Sequence, residues 1–243
     1  MKKELKRQIK EDELVSGIGR AWGWLNQHQD QVRVATIAAA VVLAGFLGLS
    51  WFRSSRVQES ETAFTEALAT FHAQVTAGQP PGTPPPAGPS FATAKEKYTK
   101  AVEQFDGVVA RWGSLPAGPR AKYYAALSRL ELGQVEPARE ALAQLASSND
   151  RPLAAQARLG LAAAQARSGQ SDKAAETLRQ LADDSQAVVP RDYVLMTLGS
   201  TLEDARRGDE AGAAYERVAQ EFPESVFAAE ARRRADYLKN ADS

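Results

Sequence analysis

Cysteine is absent from the 243 residues, and histidine occurs only twice. Without thiols the chain has no disulfides, no thiolate metal ligands and no cysteine nucleophile. The absence says little about compartment, because many exported proteins also do without cysteine. His28 and His72 fall on opposite sides of the longest apolar run, so the two imidazoles are not expected in one site. No Gly-x-Ser-x-Gly nucleophile motif and no phosphate-binding loop is present. Gly17-Ile18-Gly19 has neither a preceding strand nor the third glycine of a dinucleotide fingerprint. Charge of one sign is also missing: 30 basic residues face 30 acidic ones, which gives no electrostatic case for nucleic acid. Carboxylates such as Glu136, Glu140, Asp183 and Asp184 read as solvated faces and turns. The expectation is a protein that is not an enzyme, with no cofactor and no metal, and binding is what remains.

What the chain does have is an unbroken uncharged run from Val34 to Phe52. A hydrocarbon core of ~30 Å needs about 20 apolar residues of helix, so the run just meets that length. A cleaved secretory signal would have a shorter apolar stretch and small residues at its exit. Here the exit reads Ser50-Trp51-Phe52-Arg53 and Arg33 brackets the other end, which favours an uncleaved signal-anchor. Before the run stand Lys2, Lys3, Lys6, Arg7, Lys10, Arg20 and Arg33, whereas segment 53–92 after it carries only Arg53 and Arg56. Basic residues stay on the cytoplasmic side, so the expected topology is a single pass with a cytoplasmic N-terminus. The C-terminal region would lie outside the cytoplasm, in a Gram-negative cell in the periplasm next to the inner membrane.

Within segment 1–33, Leu14, Val15, Ile18, Trp22 and Leu25 recur at helical spacing. They suit an interfacial helix, either a plain juxtamembrane anchor or one that also touches a cytoplasmic partner. Inside the run, Ala40, Ala44 and Gly48 form a small-xxx-small stripe of the kind that lets helices approach closely. Small residues are common in spans, so helix packing and homo-oligomerisation stay open alternatives.

After the run the pattern remains helical over 53–77, with Phe64, Leu68 and Phe71 as its apolar stripe, and reads as a stalk. Segment 78–89, GQPPGTPPPAGP, holds six of the 12 prolines and predicts an extended loop, a spacer more naturally than a ligand for an SH3-like domain. From 90 to 243 the chain repeats. Ala101, Ala138, Ala174 and Ala211 recur at intervals of 37, 36 and 37 positions. Four positions after each stand Phe105, Leu142, Leu178 and Tyr215, and seven after each stand Val108, Leu145, Leu181 and Val218. Offsets of 0, 4 and 7 place each trio on one helix face, small residue first. Partner helices are expected over Pro119–Leu132, Leu153–Arg167 and Asp192–Arg206. Gly133, Gly169 and Gly208 are expected at the left-handed turns, Ser171 as a cap, and a final helix Ser225–Lys239 closing the stack. The fold class is therefore all-α, one membrane helix followed by an α-solenoid.

Paired helices with a small-x3-large-x2-apolar second member resemble tetratricopeptide repeats. Leu195, Leu198, Gly199, Leu202, Ala211, Tyr215, Val218 and Pro223 fall on that family's columns. The earlier pairs depart from it: Ala126 and Ala162 replace Gly, and Lys122 and Arg158 replace large apolar residues. The full layout is similar to the ancillary Sec-translocon subunit (YfgM-like) family, although the Pro-rich insert is not expected there. That resemblance implies Sec translocon subunits, or periplasmic chaperones and their substrates, as partners. Phe222 to Ala228 and the helix before it also resemble repeats of cell-wall and outer-membrane assembly scaffolds. By consensus position the resemblance puts Arg120, Tyr123, Leu127, Gln156, Leu159, Tyr193 and Met196 on a partner-binding groove, or packed between repeats. Tyr123 and Leu127 stand where a carboxylate clamp would need Lys and Asn, so no such clamp is expected.

Overall fold

The computed structural model describes residues 27–78 and 88–241. The interfacial helix expected around Leu14 to Leu25 and most of the Pro-rich loop lie outside the described residues. The first helix, α1, runs from Gln29 to Phe71 without a break. No proline interrupts it, and alanine, leucine and valine dominate its first half. Every side chain described between Val34 and Phe52 is exposed, including Phe46 at 68% and Trp51 at 75%. A Cβ added at Gly45 or Gly48 would meet no other part of the protein within 4 Å. This is a helix long and apolar enough to cross a membrane.

The chain divides into two compact units at Arg56 and Val57. In the second unit, segment 57–71 of α1 does more than connect. Phe64 and Ala67 are buried in one core with Ala101, Phe105 and Val108 of α2, Ala94–Trp112. Phe71 meets Tyr98 at 5.8 Å and Phe64 meets Phe105 at 6.0 Å, the register of an antiparallel pair. The stretch read as a stalk is thus the first helix of the first pair.

The Pro-rich insert sits inside that pair, with its two ends held together. Strand β1, Gln74–Val75, pairs in parallel with β2, Ser90–Phe91. The Thr76 amide donates to the Phe91 carbonyl at 2.9 Å, and the Lys97 ammonium donates to the Ala73 carbonyl at 3.3 Å. Thr93 then caps α2 reciprocally with Glu96, a capping box that satisfies two amides the helix start leaves open.

Six further helices form three pairs. They are α3 (Ala117–Glu131) with α4 (Val135–Ala146), α5 (Arg151–Arg167) with α6 (Ser171–Asp183), and α7 (Arg191–Asp204) with α8 (Gly208–Glu221). A last helix, α9 (Ala228–Ala241), closes the stack. All twelve positions of the three repeat columns are buried, none more than 6% exposed. The repeat period read from the sequence is therefore a packing period: each small residue lets two helices close, and the larger pair fills the layer between them.

Three local expectations need correction. Gly133 and Gly169 do take left-handed φ of 75°, closing α3 and α5. After α7, however, the left-handed residue is Arg206 at φ 58°, and Gly208 opens α8. The turn comes earlier than the glycine suggested: the Arg207 amide donates back to the Leu202 carbonyl at 2.9 Å, as Gln134 does to Arg129. Ser171 lies inside α6 rather than at its N-cap, which is Gln170. The last helix begins at Ala228, three positions late, because Ser225 is held by Asp192 at 2.6 Å and accepts the Phe227 amide.

Candidate protein-binding groove

The seven groove candidates come from the first helices of successive pairs. Arg120, Tyr123 and Leu127 stand on α3, Gln156 and Leu159 on α5, and Tyr193 and Met196 on α7. Their environments differ. Arg120 is engaged within the protein: its guanidinium pairs with Glu61 of α1 and lies 4.5 Å from the centre of the Phe64 ring. That contact ties α3 to α1, so Arg120 offers no free charge to the face. Tyr123 and Leu127 are half-buried against the core that holds Leu142 and Leu145. Leu159 and Met196 pack at the edge of the core that holds Leu178, Leu195 and Tyr215. Gln156 and Tyr193 are exposed, Tyr193 to 44%.

The Tyr123 hydroxyl is pushed up to about 12, by burial first, then by the phenols of Tyr124 and Tyr193. Tyr193 belongs to α7, two pairs further along the chain. Aromatic contacts extend the band at both ends. Tyr123 meets Tyr124 at 5.3 Å, and Tyr193 meets Phe227, the residue before α9, at 6.0 Å. The result is a neutral strip of phenol, aliphatic and thioether groups with one amide, Gln156. Such a surface suits apolar side chains of a polypeptide better than a charged small molecule.

Two contributors escaped the sequence reading. Phe227 follows Tyr193 by close to one repeat length, so the spacing alone marks it as the equivalent position before α9. Glu61, the partner of Arg120, is hidden in the sequence because the pattern over 53–77 reads as a stalk. Beyond the face, arginines bridge neighbouring pairs. Arg167 binds the Leu130 carbonyl at 2.6 Å and Glu131 at 3.0 Å, and Arg207 binds Asp172 at 2.6 Å. Arg234 of α9 reaches Glu203 at 2.8 Å, and the same carboxylate accepts the Tyr215 hydroxyl at 2.9 Å. These contacts sit on the flanks and stitch the layers without entering the strip.

Comparison with known proteins agrees with this architecture. Solved nearly identical TPR-like repeats from Podosopora anserina superpose with a TM-score of 0.52 at 20% identity, covering 60% of this chain and 80% of theirs. A point variant of the same repeats gives 0.52 at 19% identity, covering 60% and 79%. At that identity the likeness concerns the fold. Among curated proteins, none matches the sequence. The tetratricopeptide repeat-like domain family matches residues 23–237, which takes in the apolar run as well as the repeats. Tetratricopeptide repeats are a scaffold for protein–protein interaction. With nearly nine-tenths of its length matched, the chain belongs to the tetratricopeptide repeat-like domain family.

Proposed function

We propose that this is a single-pass membrane protein that presents a tetratricopeptide platform to protein partners and performs no chemistry of its own. The observation that carries the reading is the make-up of α1. One helix holds an exposed apolar run in its first half and the first buried repeat residues, Phe64 and Ala67, near its end. Leaving that much apolar side chain in water is costly, at roughly 25 cal/mol per Å², and a bilayer removes the cost. The family match supports it, because it runs through the apolar segment and the repeats together.

The finer reading follows the charge pattern and the layout. The N-terminus would be cytoplasmic and the repeats periplasmic, at the bacterial inner membrane. The partner would be the Sec translocon or chaperones near it, with the strip of Tyr123, Leu127, Leu159, Tyr193 and Met196 receiving apolar side chains of emerging chains. Ala40, Ala44 and Gly48 give the membrane helix a face on which a second helix, from a partner or another copy, would fit.

A gentle-detergent pull-down with mass spectrometry tests this, run on the full chain beside a form lacking Val34 to Phe52. Enrichment of translocon subunits that is lost without the run supports the proposal. Enrichment of wall or outer-membrane assembly proteins that survives the deletion replaces it with an envelope scaffold.

A further inference from the structure

Within the repeat unit the first helices of all pairs run parallel. Phe64 meets Tyr124 at 5.9 Å while Glu61 pairs with Arg120, which sets α1 alongside α3 in the same direction. Tyr193 meets Phe227 while Glu203 binds Arg234, which does the same for α7 and α9. Arg158 binds Asp184 at 3.1 Å, placing the turn before α7 against the first half of α5. The turns that lead into first helices, 113–116, 147–150, 184–190 and 222–227, therefore share one edge. Val57, where the chain enters the unit, stands on that same edge.

The exposed large apolar side chains are not spread evenly over the unit. Among the described residues there are four: Val188 at 67%, Tyr193 at 44%, Val226 at 90% and Tyr237 at 69%. The first three belong to the entry edge. The opposite turns offer Gly133, Gln134, Ser168, Gly169, Gln170, Arg206 and Arg207, with Leu132 half-buried. A valine at the tip of a turn, nine-tenths exposed beside a polar Ser225, has no role in the fold that its burial could explain.

We propose that the entry edge rests on the bilayer surface, with Val188 and Val226 dipping into the interface. The inference rests on the membrane-anchored reading above. Val57 follows closely on Phe52, the end of the apolar run, so at most ~18 Å of extended chain separates the edge from that end. Tethering at that range raises the effective concentration of lipid at the edge, and a contact too weak to recruit a free protein then suffices. Exposed aliphatic tips are side chains that favour the interface.

The chain has no cysteine, so each variant Leu43→Cys, Val188→Cys, Val226→Cys and Gln134→Cys carries a single thiol for a fluorophore. The full-length protein is placed in phosphatidylcholine–phosphatidylglycerol vesicles, with or without lipids bearing a nitroxide high on the acyl chain. Quenching of at least about twofold at 188 and 226 as well as 43, with 134 unaffected, is expected for an interfacial edge. Quenching at 43 with 188 and 226 no different from 134 overturns the edge contact and leaves the anchor standing. No quenching at 43 removes the anchor, and the edge contact with it. Labels at 188 and 226 that are shielded from aqueous quencher only in native membranes would assign the edge to a protein and overturn the lipid assignment.

Discussion

Gly199 of α7 lies flat against the ring of Tyr215 of α8: a Cβ at position 199 would stand 2.7 Å from both Cδ1 and Cζ of Tyr215. No real Cβ contact is that short, so the glycine and the tyrosine are matched. The two preceding pairs solve the same crossing differently. They place Ala126 and Ala162 where the glycine stands, and Leu142 and Leu178 where the ring stands. All four of these residues are fully or almost fully buried. A narrower side chain on the second helix leaves room for a methyl on the first. In this chain the glycine goes with its aromatic partner, and the alanines of the earlier pairs go with leucine.

Gly199→Ala is accordingly expected to destabilise the repeat unit by about 2–3 kcal/mol through overpacking. In the Tyr215→Leu background the same change should be nearly neutral, a coupling of about 1–2 kcal/mol between contacting residues. Urea denaturation of the four proteins in one detergent measures it. Additive effects would show that the ring is not what excludes the methyl.

Arg206 holds a left-handed backbone at the end of α7, where α3 and α5 use Gly133 and Gly169. A residue with a Cβ is disfavoured there by roughly 1 kcal/mol relative to glycine. Arg206→Gly should stabilise by about 0.5–1 kcal/mol, and Gly133→Ala should cost about 1 kcal/mol. Thermal melts with opposite shifts for the two variants are expected. Destabilisation by Arg206→Gly would mean the guanidinium makes a contact worth more than the backbone strain.

Tyr123 and Tyr215 should titrate late. Tyr123 is raised to about 12 by burial first, then by neighbouring phenols. Tyr215 is raised to about 12 by burial first, then by its hydrogen bond to the Glu203 carboxylate. The sign follows from which form the fold prefers. The neutral phenol is favoured in the folded state, so the contribution is complete below the ordinary phenol range near 10. It is lost as pH rises from there through about 12. In ultraviolet titration, Tyr123→Phe and Tyr215→Phe should each remove a phenol that ionises at about 12, and stability should fall over that window, less steeply in Tyr123→Phe.

Much of this architecture was readable in the residues because a solenoid writes its packing at a fixed period. The Ala101, Ala138, Ala174 and Ala211 column and the two columns after it mark buried helix faces before any coordinates are known. The first pair was harder to read. The Pro-rich insert separates its two helices, so Phe64 and Ala67 fall out of the period although they pack as the others do. Local chemistry misled at Gly208, because a left-handed turn tolerates arginine when the backbone bonds demand it. The face itself was legible only as consensus positions. That Arg120 is tied down by Glu61, while Gln156 and Tyr193 stand free of the core, depends on contacts between residues far apart in the chain.

The most direct test of the partner-binding face is site-specific photocrosslinking of the full chain in its native membranes. A benzophenone side chain would replace Gln156 or Tyr193 on the first helices and, for comparison, Glu176 on α6. Both first-helix positions are exposed, as is Glu176, so none of the replacements disturbs the core. Adducts with the same protein from positions 156 and 193, and none from 176, are the expected result. Adducts from 176 alone would contradict the assignment and move the binding surface to the second helices.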